Sequence, residues 1–370
     1  MDSKSLIKYW KENGLNVGYD MTNVNYIRHP AITSFFDNLT INLNDTNPPN
    51  NRHFNIENKL RWGLSDKFYK WLRHSNNNNI DVSHFNHRDI VHTSYDCFHE
   101  AIFRYRHRKL RKLRGEHCYL DNTFFYVPIE ETIPTVPYHE PYLRYIDGFT
   151  GKYFDLDEDD WVYLSIPFFG NGDISDKFEG ILNQADLLNV PVVVDCTLLP
   201  LAKGFDINLN RPSVKEVIFP LSTTVGIHKC QIGIRFSNYA NTPDDDGADG
   251  SPGVGPVHLL NHSDEGLVST VELLIAHKLL DNFSIDYIYD TCKDIQQEIC
   301  QEISLIPTNC VNICMIPEPG SLADNGLWSS DTTIIELYNK HIKAGNDAYP
   351  RVDISGAISN KLKEKYNNEQ

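Results

Sequence analysis

The sequence predicts an α/β protein: a large domain with a mostly parallel central sheet flanked by helices, plus a smaller α/β domain toward the carboxyl terminus. Three observations predict it. WVYLSIPFF, KFEGILNQADLLN and PVVVD follow one another as a buried strand, an amphipathic helix and a β-branched strand, the order of a crossover between parallel strands. Asp195 closes the second of those strands, and an open α/β sheet carries its ligand site at the carboxyl ends of its strands. At 370 residues the chain is long for one compact core and suits two. Composition divides it into an opening helix and arm over 1–50, a large domain over 51–245 and a small domain over 246–370.

Each element has its own signal. Residues 1–50 read as an amphipathic helix followed by a loop-rich arm ending in NDTNPPNNR. In NIENKLRWGLSDKFYKWLRH the residues Ile56, Leu60, Leu64, Phe68 and Leu72 recur every four positions and mark one helix face. Asn76 to Asn79 form a polar break. A helix is expected from His92 to Arg114, with Thr93 and Ser94 ahead of the apolar positions Phe98, Ala101, Ile102 and Tyr105. The basic run from Arg104 to His117 then reads as its exposed face and last turn. HCYLDNTFFYVPIEE is β-rich, with a turn at Asp121–Asn122. KFEGILNQADLLN turns Phe178, Ile181, Leu182 and Leu187 inward. Lys215 to Asn238, KEVIFPLSTTVGIHKCQIGIRFSN, reads as a strand, a hydroxyl-rich turn and a second strand. Residues 241–256 are rich in Gly, Pro and Asp and read as a mobile loop. Two helices over Ser263–Ile303, a strand in NCVNICMI, a helix in TTIIELYNKHIKAG and a last strand in YPRVDIS complete the small domain.

Composition excludes several functions. The net charge of −16 argues against a general nucleic-acid or membrane-surface binder, because a polyanion would be repelled. Eight cysteines without a CxxC pair or dense spacing read as reduced, mostly buried thiols. No stretch approaches a membrane span and the amino terminus has no leader-like apolar core, so a cytoplasmic setting is expected. His84, His87 and Asp89 have the residue types of a metal site, but their polar surroundings favour a solvated turn, and no metal is expected.

The strand, turn and strand over Lys215–Asn238, with Asp195 upstream, resemble the fold type I aminotransferases, which bind pyridoxal phosphate (PLP). Their pattern Ser-x-Ser-Lys-x-x-Gly, four residues, Arg-x-Gly falls here on Leu221, Ser222, Thr223, Thr224, Val225 and Gly226, then on Gln231 and Gly233. The glycines and Ser222 match. Threonine stands in the lysine slot and glutamine in the arginine slot. YLSIPFFGNGDIS resembles the family's Asn-Pro-rich stretch before a helix, and AYPRVDISGA its substrate-gripping strand.

The resemblance implies roles. Asp195 would face the pyridine nitrogen, with Ser222, Thr223 and Thr224 in the cofactor turn and Ser94 in the phosphate cup at a helix N-terminus. Asp96 in that cup would oppose a phosphate. Thr223 can neither anchor the cofactor covalently nor serve as a base near neutral pH. Lys229, in a His-Lys pair like that of the cysteine desulfurases, or His228, as in the sugar dehydratases where histidine replaces lysine, would take over proton transfer. Arg351 would grip a substrate carboxylate. The implied protein is a homodimer acting through PLP on a small-molecule amine or amino acid, or a degenerate relative that keeps the scaffold without cofactor.

Overall fold

A computed structural model describes residues 8, 12–17, 27–41, 53–91, 97, 101, 104–105, 109–114, 143–147, 156–167, 172–174, 178–221, 225, 232–238, 268–303, 305–315 and 351–369. The strands are β1 (Asn16–Val17), β2 (Asn79–Asp81), β3 (His87–Val91), β4 (Lys109–Arg114), β5 (Leu143–Asp147), β6 (Asp160–Ser165), β7 (Val192–Asp195), β8 (Asp206–Asn208), β9 (Val214–Pro220), β10 (Gly233–Ser237), β11 (Ile306–Pro307), β12 (Ile313–Met315) and β13 (Arg351–Asp353). The helices are α1 (Pro30–Asp37), α2 (His53–Arg73), α3 (Phe178–Leu188), α4 (Thr270–Asn282), α5 (Tyr287–Ile303) and α6 (Ser355–Glu369).

The central sheet runs β3-β10-β9-β7-β6-β4-β5. Pairing is parallel from β5 through β9, and β10 joins β9 and β3 in antiparallel register. The β6–α3–β7 crossover and the mostly parallel sheet are as the sequence predicts. A second, antiparallel sheet, β1-β13-β12-β11, joins strands from both ends of the chain. The fold is mixed α/β.

Alternation sorts the central strands onto two faces. Val192, Val194, Val162, Leu164, Val217, Phe219, Ile234 and Phe236 enter the main core, which continues through Leu64 and Phe68 of α2 and Leu273 and Leu279 of α4. The other face holds a smaller cluster: Val91, Trp161, Tyr163, Val193 and Ile218, covered by Cys97, Ala101 and Tyr105. The four-residue spacing of the covering residues, with the amide of Tyr105 bonded to the carbonyl of Ala101, is helical, in keeping with the amphipathic pattern there.

The structure corrects several expectations. Lys109–Arg114 is not the end of a helix but the interior strand β4, because β5 and β6 offer pairing on both sides. Leu187 is 83% exposed, and Ala185 takes the inward place that 3.6-residue periodicity assigns. His87–Val91 is an edge strand of the central sheet rather than a solvated turn. His84, His87 and Asp89 do not come close enough to share an ion; the group that does, among the described residues, is Asp157, Asp159 and Asp160. Two helices, α1 and α6, were not expected. Leu209 is buried in the turn region between β8 and β9.

Two titratable features matter for stability. His29 caps α1: its Nδ1 accepts from the Ala31 amide at 3.2 Å, and its ring packs at a tilt against Tyr287, with centroids 5.0 Å apart. Burial lowers its pKa from 6.5 to about 4. On the face of the small cluster, Glu216 is fully buried between Arg104 and Arg235, and Arg235 also reaches Asp89 at 3.3 Å.

Because folded His29 stays neutral while the unfolded side chain takes a proton below pH 6.5, its contribution is complete above that value and is lost as pH falls toward about 4. His29→Asn, which keeps a capping acceptor, should flatten the slope of unfolding free energy against pH across this window, measured by urea titration. Glu216→Gln should destabilise the fold by up to about 3–5 kcal/mol, since it removes a buried negative charge from between two guanidinium groups; the urea midpoint reads this directly.

Candidate functional site

The carboxyl ends of β6 and β7 lie level, with Ser165 opposite Asp195, and Asp195 stands opposite Ile218 of β9, which runs on to Pro220. Asp195 is 1% exposed and, sharing the parity of Val193, sits on the face of the small cluster. Its carboxylate is held by donors from two directions. Tyr163 on β6 donates its hydroxyl to Oδ2 at 2.7 Å. The backbone amide of Thr197 donates to Oδ1 at 2.9 Å, and the Thr197 hydroxyl bonds the same oxygen. Burial, and then the negative charge of Asp195, raise the Tyr163 pKa well above that of a free phenol, so the hydroxyl keeps its proton and remains a donor. The same two causes raise the thiol of Cys196, which stays neutral beside the acid.

The hydroxyl-rich segment follows β9 in sequence. Leu221 follows Pro220 at the end of β9, and its amide bonds the carbonyl of Ile232 at 2.8 Å, closing the turn's base. The amide of Val225 bonds the Leu221 carbonyl, a helical hydrogen bond at the turn's entry. Gly233 begins β10 against Pro220: a Cβ there would stand 2.7 Å from the carbonyl oxygen of Phe219 and from Cα of Pro220. Close strand approach therefore demands this glycine.

Of the cofactor and substrate residues singled out from sequence, Asp195 is the one whose side-chain partners are described. Ser94, Ser222, Thr223, Thr224, His228 and Lys229 lie outside the described residues. Arg351 is placed by its backbone, opposite Met315 in the register of β13 on β12. Arg235 on β10 faces the same side as Asp195, but Glu216 and Asp89 engage it. Sequence reasoning missed Tyr163 and Thr197. Signals for both were present: a hydroxyl-bearing Tyr within an apolar strand, and a Thr two residues after an Asp, the spacing of a side-chain-closed turn.

Among solved structures, the chain is similar to the histidinol-phosphate aminotransferase from Clostridium acetobutylicum, with 12% identity, coverage of 94% of this chain and 98% of that one, and a TM-score of 0.51. The aspartate aminotransferase tetra mutant of Thermus thermophilus complexed with tryptophan gives 10% identity, 99% and 95% coverage and a TM-score of 0.52. The fold is that of the fold type I aminotransferases. The PLP-bound C-S lyase from Staphylococcus hominis is similar at 7% identity, with 82% and 81% coverage and a TM-score of 0.51. No protein-family model and no curated protein matches the sequence. Among the described residues, no helix of this aminotransferase-like chain is long and apolar enough to cross a membrane.

A hydrogen bond to a charged group contributes about 1.5–3 kcal/mol. Tyr163→Phe, which deletes one donor to the buried carboxylate while keeping the ring, should lower unfolding free energy by about that amount, read from the urea midpoint.

Proposed function

We propose that this chain binds PLP on the face of Asp195 and acts on an amine or amino acid. The observation that carries the reading is a buried carboxylate at the carboxyl edge of a parallel sheet, held in place by Tyr163 and Thr197. That donor set fits the ring-nitrogen end of PLP: a fixed, hydrogen-bonded carboxylate keeps a pyridine nitrogen protonated. When bound, PLP supplies a ring that withdraws electrons from the substrate carbon.

The chain's own residues then divide the work. Asp195 holds the proton at the ring nitrogen, with Tyr163 and Thr197 fixing the direction of its oxygens. Ser222, Thr224 and Ser94 supply hydroxyl and backbone donors toward the phosphate. Thr223 cannot replace a lysine, so Lys229 or His228 moves the proton at the substrate carbon, and Arg351 receives a substrate carboxylate. A homodimer is proposed as the working assembly.

A second reading is favoured by Thr223 and Gln231 standing where the family pattern has lysine and arginine: the scaffold persists as a binding or structural partner without cofactor.

Purified protein mixed with PLP separates the two. The first reading expects an absorbance band beyond that of aromatic side chains, lost in Asp195→Ala and shifted by amino acids, with Lys229→Ala weakening the shift. A protein that stays colourless and leaves added PLP unbound in dialysis establishes the second.

A further inference from the structure

Two buried thiols meet where α5 packs on the small sheet. Cys300 lies in the last turn of α5 and Cys314 in the middle of β12. Their exposures are 3% and 0%, and their Sγ atoms are 3.1 Å apart. A disulfide holds its sulfurs at about 2.05 Å, so closure requires a movement of roughly one ångström.

We propose that Cys300 and Cys314 are an oxidation site that closes to an intramolecular disulfide when the protein meets a small peroxide. One thiol gives two electrons to the peroxide O–O bond, becoming a sulfenic acid as water leaves. The second thiol attacks that sulfur and displaces its oxygen as another water. Two thiols and one hydrogen peroxide thus yield one disulfide and two waters.

The surroundings select this pair. The Gln296 carboxamide, one turn back on α5, donates to the carbonyls of Cys310 and Ile313 at 2.9 and 3.1 Å, with the Cys314 sulfur 4.0 Å away. The helix and the strand are therefore already tied, and closure does not shift their register. Of the neighbouring thiols, Cys310 directs its Sγ to Asn312 Oδ1 at 2.9 Å. Cys292 is pushed by burial up to about 12 and keeps its proton. Burial, and then the hydrogen bond with Cys300, also raise the Cys314 thiol, so the reaction is slower than that of a free cysteine and waits on transient opening of the α5–β12 contact.

The bond would reach beyond the core. Cys314 pairs with Val352, and the next pair in the register is Met315 with Arg351. Oxidation therefore pins to α5 the strand that neighbours the one carrying Arg351.

Native protein exposed to hydrogen peroxide, then denatured and alkylated, tests this. The expected product is lighter by two hydrogens, alkylates at six of the eight cysteines, and after cleavage at Glu302 by a glutamate-specific protease yields two peptides joined through residues 300 and 314, with Cys310 alkylated, that dithiothreitol separates. Cys300→Ser should abolish the two-hydrogen loss. Peptide mapping of the unaltered protein carries the test should that variant misfold. Alkylation of all eight cysteines after an exposure that oxidises free cysteine, oxygen adducts on Cys300 or Cys314 without a link, or a link between other cysteines overturns the proposal.

Discussion

A carboxylate taken out of water must be met by donors, and the carboxyl edge of this sheet is organised around meeting one. The face that carries Asp195 also buries Glu216, and the described partners of the two acids differ in kind. Those of Asp195 are an amide, an alcohol and a phenol, all neutral. Those of Glu216 are guanidinium groups. The negative charge of Glu216 thus lies between guanidinium groups inside the sheet, whereas the described donors to Asp195 fix the direction of its oxygens.

Buried amides hold the segments around that edge. Asn78, in the polar break after α2, donates to the carbonyls of Leu199 and Ala202 at 3.3 and 2.7 Å and accepts from the Phe205 amide. It therefore clamps the chain just downstream of Asp195. Asp286 secures the same break from the other side, accepting from the Ser75 hydroxyl and the Asn76 amide at 2.6 Å each. Each clamp satisfies polar groups that burial would otherwise leave costly.

What could be read from the sequence followed periodicity. The four-residue spacing on α2, the apolar runs of β6 and β7 and the crossover between them depend on local pattern alone, and the parallel sheet follows. Lys109–Arg114 defeated that approach, since KLRKLR matches neither a clean helix nor a clean strand, and its state is decided by the two strands that pair with it. α1 was hidden in a stretch read as an arm, its start marked by a histidine cap and a proline rather than by the commoner capping residues. Asp195 was legible as an acid at the end of an apolar strand, and the structure buries it there. Tyr163 and Thr197 were not, because their importance lies in a register that places β6 beside β7. The contact between Cys300 and Cys314 likewise exists only once α5 has packed on β12.

Gly233 bears on how ancestry is judged. A side chain at that position would collide with the backbone of β9, so the residue is retained by architecture whether or not any ligand is handled nearby. A lineage that abandoned its chemistry would go on selecting glycine there for as long as it folded. The glycine at that position is therefore accounted for by strand packing alone and is silent about turnover.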